Sequence, residues 1–125
     1  MKHLFFEVAT KPVPKGRPRF ARGRVFTPST TKNFEKLIHV QCGLAMTLQK
    51  FERLTGPVEV FIEFQYKRPK KTELSCPRAD IDNLVKAVLD GINGIAFDDD
   101  KQVQCLFASK NWGEADLITV KVMPL

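Results

Sequence analysis

Cysteine is scarce in this chain of 125 residues: Cys42, Cys76 and Cys105 stand far apart, with no CxxC spacing. An odd number without paired spacing indicates neither a disulfide framework nor a zinc ribbon, and leaves small buried or half-buried thiols in a reducing compartment. Histidine is scarcer still. His3 falls in an expected strand and His39 in an expected helix, with no nucleophile near either in sequence, so both read as structural or surface residues. No apolar run approaches the roughly 18 residues of a membrane span. The opening MKHLFFEVATKP breaks its short apolar stretch with Glu7, unlike a signal peptide. A soluble, cytoplasmic protein that makes no use of a membrane is therefore expected. Repeats, low-complexity runs and linkers are also missing. With 43% apolar residues, the length suits one compact core and is too short for two ordinary domains, so residues 1–125 are expected to form a single domain.

What the chain does have is charge, unevenly placed. Residues 1–79 hold sixteen Lys or Arg against six Asp or Glu, a balance of +10, whereas residues 80–125 hold four against eight, a balance of −4. A basic body with an acidic hot spot suits a polyanion that must approach carboxylates. Carboxylates alone would repel phosphate, so a cation is needed between them.

The elements can be placed from hydrophobic period and punctuation. Residues 2–9 read as a strand. Lys11-Pro12-Val13-Pro14-Lys15-Gly16-Arg17-Pro18-Arg19 then stops regular structure, and Arg22-Gly23-Arg24 continues a basic loop. Pro28-Ser29-Thr30 is a helix-start signal, and a helix is expected over 31–51 with Phe34, Leu37, Ile38, Gln41, Leu44, Ala45 and Leu48 as a core-facing stripe. After Thr55-Gly56-Pro57, Val58, Val60, Ile62, Phe64 and Tyr66 alternate with Glu59, Phe61, Glu63, Gln65 and Lys67, the clearest strand in the chain. A second basic loop follows over 67–79. Two closing strands are expected over 102–109 and 117–123, with a turn around Asn111-Trp112-Gly113. The fold class is α+β: a single two-layer domain, with a mixed sheet of about four strands carrying two main helices.

The acidic segment is the most informative. On a helical wheel, Leu84, Val85, Val88, Leu89 and Ile92 fall in one arc, and Asp82, Asn83, Lys86 and Asp90 gather on the opposite side. Taken alone, this helix can be explained structurally. Asp80 would be an N-cap, Asp82 a first-turn acid, and Lys86 an i,i+4 partner of Asp82 or Asp90. Yet Gly91 and Asn93-Gly94 end it, and Ile95-Ala96-Phe97 leads straight to Asp98-Asp99-Asp100. If helix and loop lie together, their like charges call for a proton or a divalent cation, and hard oxygen ligands suit Mg²⁺ or Mn²⁺ better than zinc. An EF-hand is excluded because neither register offers glycine at the sixth position and glutamate at the twelfth. The Asp80-x-Asp82 pair also lacks the hydrophobic strand that nucleophilic-aspartate phosphatases carry before theirs.

These residues resemble the RusA-type Holliday-junction resolvases, small phage and prophage endonucleases. The resemblance rests on Asp80-Ile81-Asp82-Asn83-Leu84-x-Lys86-Ala87-x-x-Asp90, followed after a short connection by Asp99-Asp100-Lys101-Gln102-Val103. It implies a homodimeric, Mg²⁺-dependent nuclease, with Mn²⁺ as a substitute, that nicks opposing strands of a four-way DNA junction. By motif position, Asp80, Asp82 and Asp100 would be the metal-binding carboxylates, with Asp99 as an alternative because three aspartates stand where the family has two. Lys86 would be the essential lysine, and Asn83 and Asp90 would either orient ligands or serve simply as helix-face residues. Lys15, Arg17, Arg19, Arg22, Arg24, Arg68, Lys70 and Lys71 would follow the DNA backbone, and Phe20 or Phe26 would either wedge into the junction or anchor the core. The competing readings are a broader branched-DNA or flap nuclease and a non-catalytic DNA-binding module.

Overall fold

In the computed structural model, residues 2–16, 19–21, 23–26 and 29–125 are described, with 19–21 and 24–26 in their backbone only. The order is β1 (Leu4–Val8), β2 (Arg19–Ala21), β3 (Arg24–Phe26), α1 (Ser29–Gln49), β4 (Val58–Lys67), α2 (Ile81–Ile92), a 3₁₀ turn (Asp100–Gln102), β5 (Val103–Gly113) and β6 (Leu117–Pro124). Strands β1, β6, β4 and β5 lie side by side in that order, with β5 parallel to β4 and the other pairs antiparallel. The parallel pair requires a crossover, and α2 lies within it.

Alternation decides which face of the sheet is covered. Val58, Val60, Ile62, Phe64 and Tyr66 of β4, Leu4, Phe6 and Val8 of β1, and Ile118, Val120 and Val122 of β6 are all buried. They meet Phe34, Ile38, Cys42 and Ala45 of α1 and Leu84, Val85, Ala87, Val88 and Ile92 of α2 in one core. The expected α+β architecture of a four-stranded mixed sheet and two main helices is present. Gly91 lets the helices approach closely, since a Cβ there would stand 2.8 Å from Ile38 Cβ and Cγ2. The Nδ1–H of His39 also donates to Gly91 O at 3.2 Å, a structural use of that imidazole. Cys42 is fully buried, and burial pushes its thiol pKa up to about 12; Cys76 and Cys105 are free and exposed.

Four expectations need correction. Leu37, Leu44 and Leu48 are exposed, the last to 74%, because α1 faces the core through Phe34, Ile38, Cys42 and Ala45, a direction about 95° away on the helical wheel. The same helix ends at Gln49 rather than residue 51. Lys50 takes a left-handed φ of 53°, and the bonds Lys50 N–H to Thr47 O and Phe51 N–H to Met46 O close a Schellman cap. The basic loop contains a backbone hairpin, β2–β3, turning at Gly23 with φ 75°. Finally, β5 runs through the residues expected to turn. Gly113 pairs with Lys67, and the turn falls at 114–116, closed by Gln65 Nε2–H to Ala115 O and Lys67 N–H to Asp116 Oδ1. No helix among the described residues is long and apolar enough to cross a membrane.

Candidate active site

Asp80 occupies the N-cap position of α2 in extended backbone, and its carbonyl accepts the Leu84 N–H at 3.1 Å, but its carboxylate makes no capping hydrogen bond. A capping aspartate ordinarily spends an oxygen on the helix's free N–H groups. Here that oxygen is free for another partner. Asp82, exposed in the first turn, accepts the N–H of Asn83 at 2.9 Å, its one hydrogen bond among the described residues. Lys86 lies one turn on and Asp90 another, so the three share the solvent-facing stripe expected of them.

The loop after α2 separates its three aspartates into three uses. Asp98 pairs with Arg53 at 3.6 Å, both side chains more than half exposed. Asp99 caps the 3₁₀ turn: its carboxylate accepts the Lys101 N–H at 3.0 Å, while its own N–H donates to Gln102 Oε1 at 2.8 Å. Asp100 reaches the α2 stripe, with Oδ2 at 3.4 Å from Lys86 Nζ. In the sequence Gln102 stands out only as part of the second motif. The structure makes it a clamp, since its Nε2–H groups donate to Leu54 O and Gly56 O at 3.0 and 2.8 Å and tie the loop to residues 54–56.

Charges alternate through this face. Glu35 of α1 meets Lys15 at 2.6 Å, Lys15 meets Asp90 at 2.9 Å, Asp90 meets Lys86 at 3.0 Å, and Lys86 meets Asp100. Asp90 is 18% exposed. Burial works to raise its pKa, but the hydrogen bonds and charges of Lys15 and Lys86 outweigh that and hold the carboxyl below its ordinary range. Hydrogen bonding to Asp90 comes first among the causes that raise Lys86, with burial opposing and the charges of Asp90 and Asp100 adding to it. Burial lowers Lys15, and Glu35 and Asp90 more than offset it. Lys15, expected at the DNA backbone, is thus engaged on both sides. The Lys15 N–H also donates to Asn83 O, and the Gly16 N–H to Thr31 Oγ1, so this end of the basic loop is pinned to α2 and α1.

Arg68, Lys70 and Lys71 stand exposed just after β4, as a phosphate-tracking surface requires. Arg17 and Arg22 lie outside the described residues, and Arg19 and Arg24 are described only as backbone positions of the β2–β3 hairpin, which is also where Phe20 and Phe26 stand.

Among the described residues, no three Asp, Glu, His or Cys side chains converge as a ready metal cage. The donor chemistry nonetheless fits a hard cation. Asp80 and Asp82 are exposed carboxylates, and Asp100 is half-buried and, among the described residues, held only by a lysine at 3.4 Å. Mg²⁺ usually keeps several waters and binds through one or two carboxylates plus substrate phosphate, so an open arrangement of this kind suits it better than a closed cage would.

Comparison with known proteins then decides the family: the description Endodeoxyribonuclease RusA matches residues 9–123, almost the whole chain. The chain belongs to the RusA endodeoxyribonuclease family. The chemistry of this RusA family is hydrolysis of DNA phosphodiesters, which suits acidic side chains and a lysine on one open face beside basic loops. A relative in Bacillus subtilis (strain 168), the uncharacterised protein YqaN, is 28% identical over 140 residues, covering 98% of this chain and 96% of its own.

Proposed function

We propose that this RusA-family chain is a Mg²⁺-dependent endodeoxyribonuclease that resolves four-way DNA junctions in recombination and repair, by paired nicks on opposing strands. The observation that carries this reading is the meeting of Asp100, from the loop after α2, with Lys86 on the stripe that also holds Asp82. A long-range contact between the two motif halves supports one site built from both.

In this reading Asp80, Asp82 and Asp100 would hold Mg²⁺, for which Mn²⁺ could substitute. When bound, the ion supplies charge neutralisation and Lewis-acid polarisation at the scissile phosphate. Lys86 would supply a positive charge to the phosphate oxygens. Asp90 orients Lys86 through its 3.0 Å pair, and Asp99 stays with its cap. Arg17, Arg19, Arg22 and Arg24 on one loop, and Arg68, Lys70 and Lys71 on the other, follow the DNA arms. One site makes one cut. Symmetric resolution therefore uses a homodimer whose two-fold axis matches that of the junction.

The test incubates the protein and its Asp82→Asn variant with an end-labelled four-way junction, a flap and a linear duplex, with Mg²⁺ or EDTA. Ligatable paired nicks on the junction, requiring both Mg²⁺ and Asp82, are expected. Equal cutting of the flap would replace junction resolution with a broader branched-DNA activity, and tight junction binding without any cutting would overturn the catalytic reading.

A further inference from the structure

A second concavity lies at the end of β4, apart from the carboxylate stripe. It has a volume of about 490 Å³, within the range of about 300–1,000 Å³ typical of small-ligand sites. Five cations line it: Lys11, Lys67, Arg68, Lys70 and Arg78. Among the described residues, none of the five is ion-paired. Trp112 and Tyr66, ring centroids 6.4 Å apart and edge to face, form part of the same wall. One carboxylate, Asp116, also lines it, with one oxygen committed to the Lys67 N–H.

The surrounding chain is fastened. Trp112 Nε1–H donates to Leu74 O at 3.0 Å, Tyr66 Oη–H to Pro12 O at 2.9 Å, and Lys110 Nζ to Ala79 O at 2.7 Å. These bonds tie both the loop after β1 and the loop before α2 to the strands β4 and β5. The shape therefore exists before any ligand arrives. Arg78 and Ala79 line it, and Asp80 follows one residue of about 3.8 Å later. A ligand seated here lies next to whatever reaches Asp80.

We propose that this pocket takes one unstacked nucleotide of the DNA strand being cut, its base against Trp112 and its phosphates among the cations. Unpaired cations beside an aromatic wall are the chemistry that holds single-stranded nucleic acid, through backbone charge and base stacking. A base inside a duplex is covered on both faces and cannot enter a concave site. Extrusion costs least where pairing and stacking are already interrupted, as at an opened branch point. The pocket thereby favours branched DNA over linear duplex at a position the carboxylates do not read. This role in selection rests on the cleavage reading above, whereas occupancy of the pocket does not.

Trp112 is the only tryptophan, so its fluorescence reports the pocket. The protein is titrated in EDTA with a 5′-phosphorylated single-stranded trinucleotide, with the same trinucleotide abasic at every position, and with inorganic tripolyphosphate. Saturable quenching by the intact trinucleotide is expected, at least tenfold weaker for the other two, and weakened about tenfold by Arg78→Ala or Lys70→Ala. An equal response to the abasic strand or to tripolyphosphate would reduce the site to a phosphate contact and overturn the proposal, as would no response at all. Because no metal is present, the two readings fail separately. A protein that binds the trinucleotide but never cuts junctions keeps the pocket and loses the nuclease assignment; an active nuclease with a silent Trp112 does the reverse.

Discussion

Asp90 holds two lysines at once, and the two are expected to fail differently. Lys86 is 54% exposed and, on the proposed reading, meets the scissile phosphate. Lys86→Met should lower junction cleavage about 10²–10³-fold, as loss of a charge aimed at the reacting group does, with little change in junction affinity. Lys15 is tied between Glu35 and Asp90, and Lys15→Met leaves both carboxylates short of a cation, costing about 1–2 kcal/mol of stability. Removing a lysine that touches phosphate should flatten the salt dependence of binding by about one unit in the log–log slope. For Lys15→Met an unchanged slope is expected with a lowered Tm, and a flatter slope would return Lys15 to the DNA surface. The stripe itself was legible in the sequence, because spacing of three to four residues puts Asp82, Lys86 and Asp90 on one helix face. The partner of Lys15 was not, since Glu35 and Asp90 come to it from two different helices. The pH dependence follows from the same pairs. Because the Asp90 pKa is lowered, its contribution is complete above the ordinary carboxylate value of about 3.9 and is lost as pH falls through the lowered one. The raised lysines contribute fully below about 10.4 and lose their share as pH rises through their raised values. Melting curves from pH 2 to 12 should therefore show a plateau with losses at both ends, and Asp90→Asn should flatten the acid limb.

At the scale of elements, local pattern located what has a long period, and tertiary contacts decided the rest. The alternation of β4 and the two-faced wheel of α2 survive folding almost residue for residue, since each puts an unbroken apolar face on the core. The β2–β3 hairpin was hidden because three-residue strands are too short to show a period among prolines and arginines. The overrun of β5 depends on Gly113, where a Cβ would stand 2.2 Å from the Gln65 side chain, a cross-strand contact that no local rule contains. The end of α1 is a conflict between local preference and cap geometry, because Lys50 occupies a left-handed position that glycine adopts at less cost. Lys50→Gly is expected to stabilise the protein by about 0.5–1 kcal/mol, read as a higher denaturation midpoint at unchanged slope. A lower midpoint would mean that the Lys50 side chain stabilises the fold by more than its backbone strain costs.

At the scale of the molecule, the charge asymmetry between residues 1–79 and 80–125 was visible in the composition, but a surface to join the two chains of the proposed dimer was not. The proposed paired cuts need such a surface. Among the described residues, exposed apolar side chains include those on α1 and Leu106 and Phe107 of β5, the latter stacked on Phe61 of β4. Leu106 borders an apolar groove together with Asp82 and Lys86, where DNA enters on the proposed reading, so closing that face with a partner would obstruct the proposed site. On α1, Leu37, Val40, Leu44 and Leu48 are exposed at spacings of three, four and four residues, the period of a helix-pairing seam. The seam spans about 17 Å along the helix, and an antiparallel pair about a two-fold axis would cover it with its own copy. Fully covering each leucine contributes about 1–2 kcal/mol, so the stripe can bind two chains without involving the carboxylates. Light scattering at micromolar concentration is expected to give twice the 14.2 kDa chain mass for the native protein and the chain mass itself for Leu44→Lys. Leu44 is 53% exposed, so the substitution should leave the fold and trinucleotide binding intact. What it should remove is coordination, turning paired nicks into single, uncorrelated ones. A Leu44→Lys protein that stays dimeric would move the interface off α1, and a native protein that runs as a monomer yet makes paired nicks would show that junction DNA, rather than this helix, brings the two sites together.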